Sequence, residues 1–347
     1  MIDHQPASTG EYVGSPSIVI LPDGTYVTSH DLFGPKSTQS TSGVTRIFRS
    51  TDQGKSWKKV AELQDQFWSN LFVLGGKLYL MGTSCEYGRI VIRRSLDGGI
   101  TWSPPSYLSP QPGYHTAPVP VVIKDGRVWR AMEYHPAGPW GHFQAFVIRA
   151  PADSDLLNAK NWQMTGRLPY YAKLAVGDTW LEGNAVIGPR GSILDILRVN
   201  DVEKAAILKV EGSRLKFERL VNFPGGSKKF TIRYDKVSRK YWTLSNPALK
   251  KYALSRTNPA MVRNTLALMS SKDLCHWTID RIVLSHPDPA KFAFQYVDWQ
   301  FDGPDLIAVS RTAYADSAGG ANSAHNANYL TFHRIPNFRS MIQRASR

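Results

Sequence analysis

The sequence contains the stretch Arg49-Ser50-Thr51-Asp52-Gln53-Gly54-Lys55-Ser56-Trp57, which recurs as Arg94-Ser95-Leu96-Asp97-Gly98-Gly99-Ile100-Thr101-Trp102. Both copies fit the pattern S-x-D-x-G-x-[ST]-W. In such a pattern the Asp and the Gly form a tight turn between two strands, the Ser or Thr binds the local backbone, and the Trp packs beneath the turn. We therefore predict a structural turn and assign no catalytic role to Asp52 or Asp97.

Two further stretches keep part of this motif, which is the Asp-box. Residues 270–277 retain the Ser, the Asp and the Trp but lack the glycine, and residues 150–162 contain an insertion. An apolar strand, a turn and a second apolar strand occur together six times, in residues 17–27, 71–80, 119–129, 180–198, 229–244 and 296–309. Units of roughly 45 to 60 residues are typical of β-propellers. We predict an all-β fold in which residues 1–347 form a single domain, a six-bladed β-propeller with Asp-box turns.

The composition is that of a globular protein with a large core, since 42% of the 347 residues are hydrophobic and 20% are charged. Ten Trp and fifteen Tyr favour β-structure or a surface that faces carbohydrate. No run of about 18 apolar residues occurs, so no transmembrane helix is predicted. The N-terminal segment lacks the basic and apolar regions of a signal peptide. The expected location is secreted or periplasmic if a leader has been removed, and cytoplasmic otherwise.

The net charge of +14 indicates that an acidic partner is attracted to the protein. The basic residues are dispersed and no nucleic-acid motif is present, so we predict an acidic glycan as partner, and neither nucleic acid nor a membrane. Cys85 and Cys275 lack metal-ligand spacing and are expected to be buried free thiols. No nucleotide-binding loop, hydrolase elbow or metal-ligand cluster occurs, so no cofactor or metal is predicted.

The predicted propeller brings distant residues together, because the inner strands of all blades end at the same mouth of the central channel. The residues expected at this mouth are unusually polar: His30, Asp31, Glu86, Tyr87, His115, Glu133, Glu182, Arg198, Arg263, Tyr296, Asp298 and Arg311. Carboxylates, a tyrosine and several arginines at one rim are the groups that glycoside chemistry on an anionic sugar requires.

The fourth unit carries the central candidates. Glu182 opens this hairpin and Arg198 closes it, so both are expected at the same end of the two strands. Trp180 and Asn184 flank Glu182 and are further candidates for substrate binding. For one hairpin taken alone, a structural glutamate and a solvated arginine are the alternative.

Together these features resemble the sialidase superfamily of six-bladed Asp-box propellers, which hydrolyse terminal sialic acids. Glu182 and Arg198 match a fourth-blade pattern of that family, Arg263 begins a segment that looks like its fifth-blade arginine segment, and Tyr296 stands at the strand of its nucleophile. A phenol with a pKa near 10 needs a neighbouring carboxylate to take its proton before it can attack. The resemblance implies that Glu182 is this base and that Arg198 and Arg263 bind a substrate carboxylate.

The sequence departs from this family in the first blade. Where the family has an F-R-I-P motif, this chain has Val13-Gly14-Ser15-Pro16-Ser17-Ile18, in which Gly14 stands in place of the arginine. The loop that carries the aspartate acid of the family contains no carboxylate here, and Asp31 is the nearest one. These departures favour a relative that acts on a different acidic or neutral sugar.

The remaining candidates have two interpretations each. His115 is predicted as an acid, a base or a sugar ligand, with a structural hydrogen-bonded histidine as the alternative. Glu86 and Glu133 are candidates for the acid or for binding hydroxyls. Residues 313–328 form a long polar loop of a kind that is often functional, and it contains His325.

Three functions are therefore compared. The leading hypothesis is an exo-acting glycoside hydrolase on a terminal, acidic sugar, with Glu182 and Tyr296 as a nucleophilic pair, or Glu182 with Asp298 or Asp31 as a carboxylate pair. The second is a polysaccharide lyase on a uronate-containing glycan, in which His115, Tyr296 and Arg198 act. The third is a non-catalytic propeller that binds glycan, because a fold alone never establishes activity.

Overall fold

The computed structural model describes residues 1–135, 141–174, 176–252 and 257–341, and its strands form six antiparallel sheets. The N-terminal strand is β1 (Asp3–His4). The first blade contains β2 (Tyr12–Val13), β3 (Ser17–Ile20), β4 (Tyr26–Phe33), β5 (Val44–Ser50) and β6 (Lys58–Gln64). The second contains β7 (Phe67–Leu74), β8 (Lys77–Thr83), β9 (Ile90–Ser95) and β10 (Ser106–Tyr107). The third contains β11 (Tyr114–His115), β12 (Val122–Lys124), β13 (Arg127–Tyr134), β14 (Gln144–Pro151), β15 (Gln163–Met164) and β16 (Leu168–Pro169).

The last three blades follow the same order from the channel outward. The fourth contains β17 (Trp180–Ile187), β18 (Ile193–Val199), β19 (Lys204–Glu211) and β20 (Arg214–Asn222). The fifth contains β21 (Thr231–Asp235), β22 (Lys240–Ser245), β23 (Thr265–Ser271) and β24 (Thr278–Ser285). The sixth contains β25 (Ala293–Asp302), β26 (Asp305–Ala313) and β27 (Tyr329–Ile335). The predicted all-β fold with six propeller blades is confirmed.

The sixth blade is completed from the other end of the chain. Strand β1 pairs with β27, so that Asp3 lies opposite Leu330 and His4 opposite Tyr329. The outermost strand of the last blade is thus the first strand in sequence, and this pairing closes the ring of blades.

The core is divided among the contacts between blades. In the described part of the chain, six clusters of buried apolar side chains lie one between each pair of neighbouring blades. Trp242 and Trp299, for example, are fully buried between the fifth and sixth blades. The inner strands of each sheet are covered on both faces, which is why most of their residues are buried, whereas the outermost strands are more polar.

The repeated motif forms turns between the third and fourth strands of its blades. Asp52 accepts hydrogen bonds from Ser50 Oγ (2.7 Å) and Ser56 Oγ (2.6 Å), and Asp97 accepts the equivalent bonds from Ser95 and Thr101. The tryptophan of all four copies donates its indole N–H to a carbonyl of its own turn. These aspartates are occupied with local bonds at the outside of the blades.

Polar side chains form hydrogen bonds between the inner strands of adjacent blades around the channel. Asn184 accepts the Ile232 N–H (2.9 Å) and donates to the Phe230 carbonyl (3.1 Å). Asp298 accepts from the Ile18 N–H (3.0 Å) and from Ser17 Oγ (2.8 Å). The fourth blade is bonded in this way to the fifth, and the sixth to the first.

Helical structure is limited to short 3-10 segments in the residues that the structure describes: Ala7–Thr9, Ala159–Asn161, Ala172–Leu174, Pro259–Met261 and Phe338–Met341. Within the same residues, no helix is long and apolar enough to cross a membrane.

Candidate active site

Three alternate blades present a side chain to the channel mouth from the same irregularity of their inner strand. Trp68 in β7, Glu182 in β17 and Tyr296 in β25 have φ angles of 47°, 57° and 55°. Each lies in a bulge where the register to the second strand shifts. A positive φ is unfavourable for large side chains and is kept where the surrounding structure requires it. The bulge turns each of these side chains toward one cavity.

Glu182 is the centre of the charged network. Its Oε1 accepts a hydrogen bond from Tyr296 Oη (2.9 Å), and its Oε2 forms an ion pair with Arg198 (2.8 Å). Burial alone would raise the pKa of Glu182, but Arg198, His115 and Tyr296 together lower it. Burial and the Glu182 charge raise the pKa of Tyr296, against three neighbouring arginines. At neutral pH the pair therefore consists of a carboxylate and a protonated phenol.

Three arginines surround this pair. The guanidinium of Arg311 lies 4.9 Å from the Tyr296 ring centroid, and that of Arg263 lies 5.7 Å from it. Arg198 and Arg263 lie behind Glu182 and Tyr296, whereas Arg311 lines the cavity itself. Arg311 donates to the His325 carbonyl (2.5 Å). All three are buried, so the inner wall of the site is strongly cationic.

Asp31 is a buried carboxyl group that also lines the cavity. Its Oδ1 accepts the Ser15 N–H (3.0 Å), and its Oδ2 has no hydrogen-bond partner among the described residues. Burial raises the pKa of Asp31 to about 7, against the attraction of His30 and Arg311. A side chain at position 14 would collide with this group, because a Cβ on Gly14 would stand 2.5 Å from Asp31 Oδ2. Gly14 thus provides the space in which Asp31 lies.

His115 is held in the cavity by a second carboxylate. Its Nδ1 lies 2.9 Å from Glu133 Oε2, while Glu133 Oε1 accepts the Gly183 N–H (2.8 Å) from the bulge of Glu182. Glu133 is fully buried and supports His115 from below. This contact fixes the ring so that its other nitrogen, Nε2, is directed away from Glu133.

The cavity has a volume of about 200 Å³ and one aromatic wall. Trp68 contacts His115 at 4.5 Å and Tyr87 at 5.7 Å between ring centroids. The lining residues are Gly14, Ser15, Asp31, Phe33, Gln39, Phe67, Trp68, Glu86, Tyr87, His115, Glu182, Tyr296, Arg311 and His325. Arg311 of the sixth blade therefore shares the cavity with the aromatic side chains of Trp68 and Tyr87 from the second.

Most of the predicted residues meet at this cavity. Asp31, Glu86, Tyr87, His115, Glu182, Tyr296, Arg311 and His325 line it, and Glu133, Arg198 and Arg263 contact the lining residues.

Four predicted residues are directed elsewhere. His30 binds Asp3 of β1 (2.8 Å), and Trp180 is fully buried against Tyr170. Asn184 and Asp298 form the bonds between inner strands described above, so neither reaches the cavity. The carboxylate pair of Glu182 with Asp298 is not formed, whereas Asp31 lines the same cavity as Glu182.

Trp68 was not predicted, although the sequence contains a signal for it. The segments Trp68-Ser69-Asn70, Glu182-Gly183-Asn184 and Tyr296-Val297-Asp298 share a large residue two positions before Asn or Asp. This pattern marks the bulge in each of the three strands.

A larger cavity of about 720 Å³ lies away from these residues. It is lined by Val121, Ile187, Tyr234 and Phe301 and contains none of the predicted site residues. Size alone therefore does not locate the site, whereas the concentration of charged groups does.

The comparisons with known proteins concern the fold. No protein-family model and no curated protein matches this chain. Among solved structures, the Hadza microbial sialidase Hz136 superposes with a TM-score of 0.65 at 12% identity, covering 97% of this chain and 68% of its own. The α-L-arabinanase of Penicillium chrysogenum superposes with a TM-score of 0.60 at 14% identity, covering 94% of both chains. This chain has the six-bladed propeller fold of sialidases and arabinanases.

A third similar structure, from Dyadobacter fermentans, is described as a protein of unknown function. It has a TM-score of 0.64 at 12% identity and covers 97% of both chains. At such identities the similarity extends to the fold alone, and the chemistry has to be argued from the residues of this chain.

Proposed function

We propose that this protein is an exo-acting glycoside hydrolase that releases a terminal acidic sugar from a glycan. The observation that carries the proposal is the 2.9 Å hydrogen bond from Tyr296 Oη to Glu182 Oε1 in a small cavity at the channel mouth. A phenol paired with a carboxylate is an activated nucleophile, because the carboxylate takes the proton as the phenol attacks.

In the proposed reaction, Tyr296 Oη bonds to the anomeric carbon while its proton passes to Glu182. The glycosidic C–O bond breaks, and the leaving oxygen takes a proton from Asp31, whose raised pKa suits a general acid. Asp31 then removes a proton from water, the water oxygen bonds to the anomeric carbon, and Tyr296 leaves and recovers its proton from Glu182. Two displacements at one carbon retain its configuration.

The preference for an acidic sugar rests on the cationic wall. Arg311 lines the cavity, and Arg263 lies 5.7 Å from the Tyr296 ring without lining it, so a carboxylate beside the anomeric carbon would bind Arg311 directly and be attracted by Arg263 from a greater distance. The small volume of about 200 Å³ favours one terminal sugar over a longer stretch of a polymer.

A reducing-sugar screen tests this function. The wild-type protein is incubated with a panel of acidic glycans and with neutral arabinan, and Glu182→Gln serves as the control. We expect product from an acidic glycan and a loss of about 10²–10⁴-fold in kcat/KM for Glu182→Gln. Full activity of Glu182→Gln, or release from arabinan alone, would contradict the assignment.

A lyase is the second candidate, because Glu133 orients His115 as a base in the same cavity. A lyase abstracts a proton next to a uronate carboxylate and leaves an unsaturated sugar that absorbs in the ultraviolet. Digestion of uronate polymers with a rise in this absorbance, lost in His115→Gln, would favour it. Binding of a glycan in calorimetry without any product would instead favour a non-catalytic propeller.

A further inference from the structure

The fifth blade has a lysine just before its inner strand, at a sequence spacing that corresponds to that of Glu182 and Tyr296 in the fourth and sixth. Glu182 stands two residues before Asn184, and Lys229 likewise stands two residues before Thr231. Asn184 and Thr231 both bond the next blade. Lys229 is only 1% exposed, and its side chain does not line the cavity.

The ammonium group of Lys229 is bonded to the bulge of the sixth blade. Its Nζ donates to the Val297 carbonyl (2.8 Å) and to Thr231 Oγ1 (2.7 Å). Thr231 Oγ1 itself donates to the same carbonyl (3.0 Å). Val297 follows Tyr296 directly, so two donors, one of them charged, hold the Val297–Asp298 peptide group, one residue beyond the tyrosine.

The positive charge of the buried Lys229 ammonium is unfavourable for folding. Burial lowers the pKa of Lys229 to about 8, with Arg233 acting in the same direction and Asp298 and Glu182 opposing. No carboxylate forms a hydrogen bond with Lys229 Nζ among the described residues. Buried ions without a direct counter-ion cost stability that an apolar side chain would not.

We propose that Lys229 is a positioning residue for the Tyr296–Glu182 pair, which holds the Val297 carbonyl and thereby the left-handed backbone of Tyr296. The inference rests on the proposed function of that pair. Its positive charge is also attracted to the ionised Glu182, which favours the carboxylate form of the base. Lys229 does not contact the substrate.

Lys228 offers a matched control. It is equally buried and has a pKa that burial lowers to about 8, but its Nζ bonds Glu203 Oε1 (2.7 Å) and the Pro259 carbonyl (2.8 Å). Lys228→Met and Lys229→Met both remove a buried ammonium, and only the second removes a contact to the bulge.

The first readout needs no substrate. Crystal structures of Lys229→Met and Lys228→Met are compared for the Tyr296 φ angle and the distance from Tyr296 Oη to Glu182 Oε1. We expect the bulge to relax and the hydrogen bond to be lost in Lys229→Met alone. An unchanged bulge in Lys229→Met would overturn the inference.

The second readout is kinetic and uses a glycoside whose phenolate leaving group needs no proton. A displacement of the reacting groups by about 1 Å can lower the rate on the order of 10²-fold. We therefore expect Lys229→Met to lower kcat by about that factor with a smaller change in KM. Wild-type kcat should fall as pH rises through about 8, where Lys229 loses its proton. Lys229→Arg, which stays charged, should restore kcat and remove this fall, whereas Lys228→Met should keep it.

The outcomes separate the two proposals. Wild-type kcat and an unchanged pH profile in Lys229→Met, with Glu182→Gln inactive, would reject the role of Lys229 and leave the function standing. Full activity of Glu182→Gln would reject the function.

If Lys229→Met does not fold, the variants Thr231→Val and Lys229→Arg are tested instead. Thr231→Val removes the second donor to the Val297 carbonyl and should lower kcat. Unchanged kcat in Thr231→Val, together with a persisting fall above pH 8 in Lys229→Arg, would overturn the inference.

Discussion

At the scale of single residues, the site depends on carboxyl groups whose surroundings set opposite protonation states. Glu182 is ionised because Arg198, His115 and Tyr296 outweigh the effect of burial on its pKa. The pKa of Asp31 is raised to about 7, because the effect of burial outweighs the attraction of His30 and Arg311. Two carboxyl groups with separated pKa values are the arrangement that acid–base catalysis on a glycoside requires.

Asp31→Asn tests the assignment of the acid. We expect kcat/KM to fall by about 10²–10⁴-fold for sugars with alkoxide leaving groups and to change far less for phenolate leaving groups, which need no proton. The same logic gives the wild-type protein a fall in activity on alkoxide substrates as pH rises through about 7, because Asp31 must be protonated. Equal losses on both kinds of leaving group would remove Asp31 from this role.

The unfolding temperature of the protein gives an independent test of the raised pKa of Asp31. A carboxyl group whose pKa is raised in the folded state binds more protons there than in the unfolded state, so its ionisation makes folding less favourable as pH rises from about 4 to about 7. We expect Asp31→Asn to unfold at a higher temperature than the wild-type protein at pH 8, with a smaller difference at pH 4. A lower unfolding temperature at pH 8 would indicate that the ionised form is stabilised by contacts.

At the scale of the strands, the site is formed by bulges that are anchored to neighbouring blades. Asn184 follows the Glu182 bulge and satisfies one N–H and one carbonyl of the fifth blade. Asp298 follows the Tyr296 bulge and accepts hydrogen bonds from the Ile18 N–H and the Ser17 hydroxyl of the first blade. These contacts explain why two residues expected in the cavity serve instead to fix those that are in it.

Asn184→Ala leaves two buried backbone groups without partners. The expected loss is about 1–3 kcal/mol in the free energy of unfolding for each group, measured by chemical denaturation. Asn222→Ala, at an exposed asparagine whose side chain accepts a surface hydrogen bond from Lys204, is the control and should change stability by less than about 0.5 kcal/mol. A loss of similar size in both variants would argue against an anchoring role for Asn184.

The strands also show what the sequence can and cannot predict. Repeated turns and apolar hairpins led to six blades, and Glu182 and Arg198 lie at the same end of one hairpin, as expected, where they form an ion pair. The bulges could not be predicted from propensity, since Trp, Glu and Tyr rarely adopt a positive φ. Trp68 was missed for this reason. The direction of Asp298 was missed because a bulge changes which residues face the channel.

At the scale of the whole molecule, the ring is closed by an ion-pair cluster on β1. Asp3 contacts His30 (2.8 Å) and Arg46 (3.1 Å) of the first blade, and His4 contacts Asp316 (2.9 Å) of the sixth-blade loop. The sequence did not indicate this closure, because a two-residue strand has no periodicity. It also explains His30, which was predicted at the site and supports the closure instead.

Asp3→Asn should weaken this closure in a pH-dependent way. Burial would raise the pKa of Asp3, but His30 and Arg46 lower it to about 2. A lowered carboxyl pKa contributes stability above about pH 4 that is lost as pH falls toward 2. We expect Asp3→Asn to lower the unfolding temperature at pH 7 and to match the wild-type protein near pH 2, with exposed Asp153→Asn as the control. A constant difference at both pH values would contradict the ion-pair account.

The central claim is that Tyr296 attacks the sugar with Glu182 as its base, and a trapped intermediate tests it most directly. Once the screen has identified the acidic sugar, the protein is incubated with its fluorinated, slowly hydrolysed glycoside, and its peptides are analysed by mass spectrometry. We expect one glycosyl group on the peptide that contains Tyr296, and none in Tyr296→Phe. A label on another residue, or turnover of the probe by Tyr296→Phe at the wild-type rate, would contradict the account.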